Sequence, residues 1–119
     1  MTKKILIVDD DESILDAVCL VLEDEGYMVE TTLNGDEIFE KVTSYKPNLI
    51  LLAVLISGKD GRDICRVLKK TEDIKGIPII MISAHPSAKD GATACGAEAF
   101  LAKPFDTQDL IDIVAKYLR

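Results

Sequence analysis

The chain has 119 residues, 48% hydrophobic and 29% charged, with a formal net charge of −7. That is the length of one domain, enough to bury about two-thirds of its unfolded surface, and an ordinary globular composition rather than a disordered one. The negative charge disfavours direct nucleic-acid binding, which needs clustered Lys and Arg, and no stretch approaches the ~20 apolar residues that cross a bilayer.

The opening Met1-Thr2-Lys3-Lys4 runs straight into an apolar segment, so no secretory leader is expected and the location expected is cytoplasmic. Residues 5–8, Ile5-Leu6-Ile7-Val8, predict a buried strand, and the acid cluster Asp9-Asp10-Asp11-Glu12 follows at once. Residues 13–25 predict a helix with Ile14, Val18, Val21 and Leu22 on its core face and Gly26 as its stop. Asp11 and Glu12 lie where negative charge favours the helix macrodipole. Residues 28–32 read as a more polar strand at the sheet edge. Residues 35–44 predict a helix carrying Ile38, Phe39 and Val42, which Pro47 prevents from continuing.

Residues 49–53 predict a second buried strand, Leu49-Ile50-Leu51-Leu52, ending at Ala53. Asp60-Gly61 reads as a turn and helix cap, and residues 60–70 as a helix with Ile64, Val67 and Leu68 inward. Arg62, Arg66, Lys69 and Lys70, mixed with Asp63, Glu72 and Asp73, are expected on its wet face. Residues 77–83 predict a third continuously apolar strand. Residues 87–95 are the weakest helix, with only Ala as apolar contacts and Gly91 in the middle, which costs about 1 kcal/mol against Ala. Residues 99–102 predict the last strand. A final helix over 107–118 carries Leu110, Ile111, Val114 and Leu118, with Asp106 as its N-cap. Cys19, Cys65 and Cys95 lack metal-ligand or redox spacing and are expected to be small apolar fillers.

Strands alternating with helices signal βαβ units around a parallel sheet. Continuous apolar runs signal strands covered on both faces. The expected architecture is therefore a single α/β domain over residues 1–119: a (βα)5 doubly wound parallel five-stranded sheet in three layers.

In such a sheet, ligands sit outside the carboxyl ends of the strands. The first strand delivers Asp9 and Asp10 there, the third Ala53, the fourth Ser83 and the fifth Lys103. Two adjacent carboxylates repel unless something positive offsets them, and Mg²⁺ takes one or two carboxylates with waters and phosphate oxygens. A hydroxyl and an ammonium beside such acids suit a phosphoryl group.

Five motifs carry a family resemblance. They are Ile5-Leu6-Ile7-Val8-Asp9-Asp10, the lead-in Lys46-Pro47-Asn48-Leu49-Ile50-Leu51-Leu52, Gly58-Lys59-Asp60-Gly61, Ile82-Ser83-Ala84 and Lys103-Pro104-Phe105. Over its whole length the chain resembles the receiver domain of bacterial two-component response regulators. The resemblance implies a flavodoxin-like fold with strand order 2-1-3-4-5. It implies metal binding by Asp9, Asp10 and the backbone carbonyl of Leu55. Ser83 would be the switch hydroxyl, Lys103 the lysine that pairs with the phosphoryl group, and Phe100 the aromatic that rotates inward with Ser83. The Lys103–Pro104 bond would be cis, an option open at modest cost to X–Pro bonds. Expected partners are a histidine kinase or phosphotransfer protein and a downstream target, met through residues 87–95, 99–102 and 107–118. No output domain, nucleic acid or membrane is expected, and the chain would be a monomer or weak dimer.

The chain departs from the family at Ala53, which stands at the phosphoacceptor position where the family has Asp. A methyl group cannot attack a phosphohistidine, form an acyl phosphate or bind Mg²⁺, so Mg²⁺ is expected to be weak or absent. Ser57, where the family usually has Pro, is a milder departure. The chain is then either an Asp-to-Ala variant of an ordinary receiver or a pseudo-receiver working through protein contacts. His85, two residues beyond Ser83, is expected to be an exposed loop residue. An enzymatic alternative is a haloacid-dehalogenase-like phosphatase with Asp9 as nucleophile and Asp11 as acid. Against it stand Ser13 in the fifth motif position and the lack of a second acid pair after a later strand.

Overall fold

The computed structural model describes residues 2–56, 58–85 and 94–118. In chain order the elements are β1 (Lys4–Val8), α1 (Glu12–Asp24), β2 (Met28–Thr32), a 3-10 turn (Gly35–Glu37), α2 (Ile38–Tyr45) and β3 (Leu49–Ala53). There follow the two-residue strands β4 (Leu55–Ile56) and β5 (Lys59–Asp60), then α3 (Gly61–Lys70), β6 (Ile79–Ser83), β7 (Ala99–Ala102) and α4 (Thr107–Leu118).

The sheet order is β2-β1-β3-β6-β7, all parallel, while β4 and β5 pair only with each other as a small antiparallel hairpin. Setting that hairpin aside, the order is the expected 2-1-3-4-5, with the polar strand β2 at one edge. The fold is flavodoxin-like α/β.

Successive side chains of a strand point to opposite faces, and here both faces are apolar. Leu6, Val8, Ile50, Leu52, Ile79 and Met81 pack on one side with Ile38 and Val42 of α2 and with Cys65 and Leu68 of α3. Ile5, Ile7, Leu49, Leu51, Ile80 and Ile82 pack on the other with Leu15, Val18 and Leu22 of α1 and with Leu110, Val114 and Leu118 of α4. Each such side chain contributes about 1.5–3 kcal/mol on full burial. The sandwich therefore pins β3 at the centre, buried along its whole length.

The caps follow the sequence closely. Asp11 Oδ1 accepts from the N–H groups of Ser13 (3.0 Å) and Ile14 (3.3 Å), starting α1. Asp60 Oδ1 accepts from Arg62 N–H at 2.9 Å, starting α3. Asp106 Oδ1 accepts from Asp109 N–H at 2.8 Å at the start of α4.

Several expectations are corrected. The helix expected over 35–44 is split into the 3-10 turn and α2, because Asn34 Oδ1 takes the Asp36 N–H (2.8 Å) and holds a tighter first turn. It ends at Lys46, which adopts a left-handed φ of 54°, one residue before Pro47. β6 begins at Ile79 rather than at 77. Ile77 N–H closes a turn on Ile74 O at 2.9 Å, and Pro78 has no N–H to give a ladder. Val67 is 51% exposed, because the inward stripe of α3 is Gly61, Cys65 and Leu68, with Ile64 at its margin. On α1 the buried stripe is Leu15, Val18 and Leu22, with Ile14 and Val21 half-buried.

Lys69 is not on a wet face. Its ammonium donates to Lys75 O (3.2 Å), Ile77 O (2.9 Å) and Glu98 Oε2 (2.8 Å), while Glu98 Oε1 accepts from Ile79 N–H (2.8 Å). This strut joins the end of α3 to the starts of β6 and β7. The helix expected over 87–95 lies outside the described residues but for its last two, of which Cys95 is buried. No helix among the described residues is long and apolar enough to cross a membrane.

Core and rim should separate cleanly in urea unfolding. Leu51→Ala in β3 is expected to cost about 2–5 kcal/mol. Val67→Ala, outside the stripe, is expected to change stability by less than about 0.5 kcal/mol.

Candidate functional site

The register of the sheet brings four strand ends to one edge. Val8 pairs with Leu52, Ala53 with Ile82, and Ser83 with Ala102. Asp9, Ala53, Ser83 and Lys103 therefore emerge side by side. All but Lys103 are buried: Asp9 is 3%, Ala53 3% and Ser83 6% exposed.

A buried carboxylate needs partners, and Asp9 has them. Its Oδ2 faces Lys103 Nζ at 3.1 Å, and its Oδ1 accepts from the N–H of Asp11 at 3.1 Å. The acid side chain is 4% exposed and the lysine side chain 21%, so solvent screens this pair only from the lysine side. Lys103 reaches back across the sheet because its own N–H is fixed to Ser83 O at 2.9 Å. The Lys103–Pro104 bond is cis.

Asp10, one residue on, is exposed. Asp11 spends its carboxylate on capping α1. Ser83 Oγ accepts from the N–H of His85 at 3.0 Å, which turns the chain beyond β6, while the His85 side chain is exposed. Phe100 is half-buried, opposite Met81 in the β6–β7 ladder, and packs on the cluster shared with α2 and α3. Leu55 is 57% exposed within the β4–β5 hairpin.

That hairpin is held tightly against Ala53. Gly61 N–H donates to Val54 O at 2.5 Å, and a Cβ on Gly61 would lie 2.0 Å from the carbonyl oxygen of Ala53. Only glycine fits there, so Gly61 is a positioning residue that the sequence shows only as part of a turn signal. Lys59 pairs with Asp36 and so ties the hairpin to the turn before α2. Hydrogen bonds from the Arg62 guanidinium hold the Asp60 carboxyl below the usual carboxylate range, against a smaller upward push from burial.

The cysteines are packing groups. Burial and a hydrogen bond involving Cys95 push the Cys65 thiol far up, and its Sγ–H lies 3.6 Å from Cys95 O. Burial, with Glu23 beside it, pushes Cys19 up to about 11. Both are protonated thiols at neutral pH, which removes the nucleophilic form.

Both oxygens of Asp9 are engaged, position 53 offers a methyl group, and among the described residues no three His, Cys, Asp or Glu side chains converge. The arrangement has an acid, an ammonium and a hydroxyl around a carbon that cannot react.

Breaking the pair from one side should be costly. Lys103→Met leaves Asp9 buried with one N–H partner, an expected loss of about 1–3 kcal/mol in urea titration. Adding Asp9→Asn should recover part of that loss, since the two residues act on one interaction. Asp60 supplies a pH test. Its folded pKa lies below its unfolded one, so it stabilises above the unfolded value, and this is lost as pH falls through the folded one. Asp60→Asn should therefore flatten the acid limb of the stability–pH curve.

With this geometry in place, the family model described as response regulator receiver domain matches residues 5–115. Among solved structures, a Chloroflexus aurantiacus protein assigned to the response regulators is 32% identical, with a TM-score of 0.94 over 99% of this chain and 98% of its own. The Vibrio cholerae chemotaxis response regulator CheY4 is 29% identical, with a TM-score of 0.91 over 98% and 99% of the two chains. The receiver domain of Brucella abortus NtrX is 31% identical, with a TM-score of 0.88 over 96% and 97%.

Proposed function

The chain belongs to the response regulator receiver domains, and on that footing we propose that it is a two-component signalling module which cannot take a phosphoryl group and works through protein contacts alone. The observation that carries the reading is Ala53. It closes the central strand, 3% exposed, beside the Asp9–Lys103 pair and Ser83. Position 53 is read as the phosphoacceptor position, and a methyl carbon has no lone pair with which to attack phosphorus.

The neighbours keep the residue types of a working receiver. Asp9, Asp10 and the Leu55 carbonyl would face Mg²⁺, Ser83 would donate to a phosphoryl oxygen, and Lys103 would pair with another. Receivers generally bind Mg²⁺ in their acidic pocket. Here one carboxylate is missing, which removes its repulsion with Asp9 and Asp10 and takes away a negative ligand, so metal affinity falls. Lys103 meanwhile has Asp9 as a standing partner. Without a phosphoryl group nothing favours inward positions of Ser83 and Phe100, so the resting arrangement dominates by the full unligated population ratio.

Receiver domains act with histidine kinases or phosphotransfer proteins and with downstream effectors. For this chain we assign the downstream contact to residues 87–95, 99–102 and 107–118. The intact set Asp9, Asp10, Ser83 and Lys103 fits both a natural pseudo-receiver and an Asp-to-Ala change in an ordinary receiver, and neither form can take a phosphoryl group at position 53. Of the two enzymatic acids considered above, Asp11 serves as a helix cap and Asp9 as the lysine's partner.

The test is intact mass after incubation with acetyl phosphate and Mg²⁺, beside an Ala53→Asp variant. The variant alone is expected to gain one phosphoryl group. A phosphoryl group on the unaltered chain would place an acceptor elsewhere and overturn the reading.

A further inference from the structure

β2 closes one end of the sheet, with β1 as its ladder partner. Two bonds fix which of its backbone groups that ladder uses. Met28 N–H donates to Lys3 O at 2.9 Å, and Thr32 O accepts from Asp9 N–H at 3.2 Å. Alternate residues of a strand turn their N–H and C=O groups to opposite edges. Met28, Glu30 and Thr32 therefore serve β1, and the N–H and C=O groups of Val29 and Thr31 point outward. Such an open row is a template for another strand. Val29, Thr31 and Thr32 are β-branched and suit one.

The segment is also complementary to itself. When two copies are set antiparallel about a two-fold axis through residue 30, Val29 of one lies opposite Thr31 of the other. Outward groups then face outward groups, and each pair of residues can exchange both of its N–H···O bonds.

Glu30 stands at the centre of that arrangement and obstructs it. Its Oε1 accepts from the Thr31 N–H at 3.2 Å, so the carboxylate bends round the edge and occupies a donor that a new strand needs. Its Oε2 lies 3.8 Å from Lys41 Nζ on α2. In the self-paired register Glu30 also meets Glu30 directly, and opposed like charges destabilise a strand pair. The Glu30 side chain is 43% exposed, so its contact with Lys41 is screened and weak. The obstruction comes from the occupied N–H and the opposed carboxylates, with Lys41 only steadying the side chain.

We propose that Glu30 is an edge guard, which keeps β2 from joining β2 of a second copy into one continuous sheet. It acts at the opposite end of the sheet from β7, where the downstream contact is placed. The inference goes beyond the signalling reading and does not depend on position 53.

The test is sedimentation velocity of the full chain over a range of concentrations, with amide exchange at Val29 and Thr31 followed on the same samples. Glu30→Val frees the Thr31 N–H and removes the opposed charge. It is expected to self-associate about tenfold or more tightly than the unaltered chain, with both amides gaining protection as concentration rises. Glu30→Thr makes the same two changes with a polar side chain and separates the effect from any folding defect special to valine. Glu72→Ala removes an equal charge from the exposed turn after α3 and should leave both readouts unchanged.

Association of the Glu30 variants no tighter than that of the unaltered chain would overturn the proposal. Tighter association with Val29 and Thr31 unprotected would place the contact elsewhere and do the same. Concentration-dependent protection of these amides in the unaltered chain would show that the edge pairs with Glu30 in place, so that nothing guards it. Unfolding of both Glu30 variants would make the residue a requirement of the fold and equally sink the idea. Failure of the phosphorylation-dead reading would appear separately, as phosphate on the unaltered chain, and leaves these results untouched.

Discussion

Burial of β3 on both faces and both edges is the constraint from which the rest of this molecule follows. Leu49–Ala53 is hydrogen-bonded between β1 and β6 and covered by helices on either side. A strand so placed cannot slip in register, because a shift of one residue would exchange its two packed faces. Its carboxyl end is therefore fixed, and with it the level at which Asp9, Ser83 and Lys103 leave their own strands. The Asp9–Lys103 pair at 3.1 Å spans 94 residues of chain, yet it forms because the sheet has already set the positions of both backbones.

The same fixity makes the side chain at position 53 decisive. The Gly61 backbone presses against the Ala53 carbonyl, so the surrounding chain leaves the position no freedom to move another group into its place. An acid at such a position would be held ready for chemistry. A methyl group there is held equally firmly and contributes only packing. Beside it, the Lys103 ammonium is paired with the Asp9 carboxylate at 3.1 Å, so the acid that is buried there has its counter-charge within the fold.

Much of this was legible in the sequence, for reasons that differ by element. The buried strands declare themselves because continuous apolar runs such as Leu49-Ile50-Leu51-Leu52 suit nothing else at that length. The caps Asp60 and Asp106 declare themselves by residue type ahead of periodic apolar positions, whereas Asp11 reads only as a charge favouring the helix dipole and its capping bonds come from the structure. The inward face of α3 was legible in part: Leu68, Ile64 and the apolar filler Cys65 face the core as their types suggest, but Gly61 carries no hydrophobic signal, while Val67 carries much and lies outside. Lys69 looks solvated by type, but its long stem lets the ammonium reach three oxygens beneath the helix. The meaning of Ala53 is silent in composition and spacing, since alanine is unremarkable at the end of an apolar run. Only the family resemblance makes it a departure.

The most direct test of position 53 is a titration with Mg²⁺ and beryllium fluoride, a phosphoryl mimic that must be coordinated by a carboxylate oxygen, followed through the backbone amides of Ala53, Ser83 and Lys103. The unaltered chain is expected to show no saturable shift at these amides, and the Ala53→Asp variant to show all three move together. A saturable response of Ser83 and Lys103 in the unaltered chain would mean that another oxygen takes the place of the missing carboxylate, and would contradict the account.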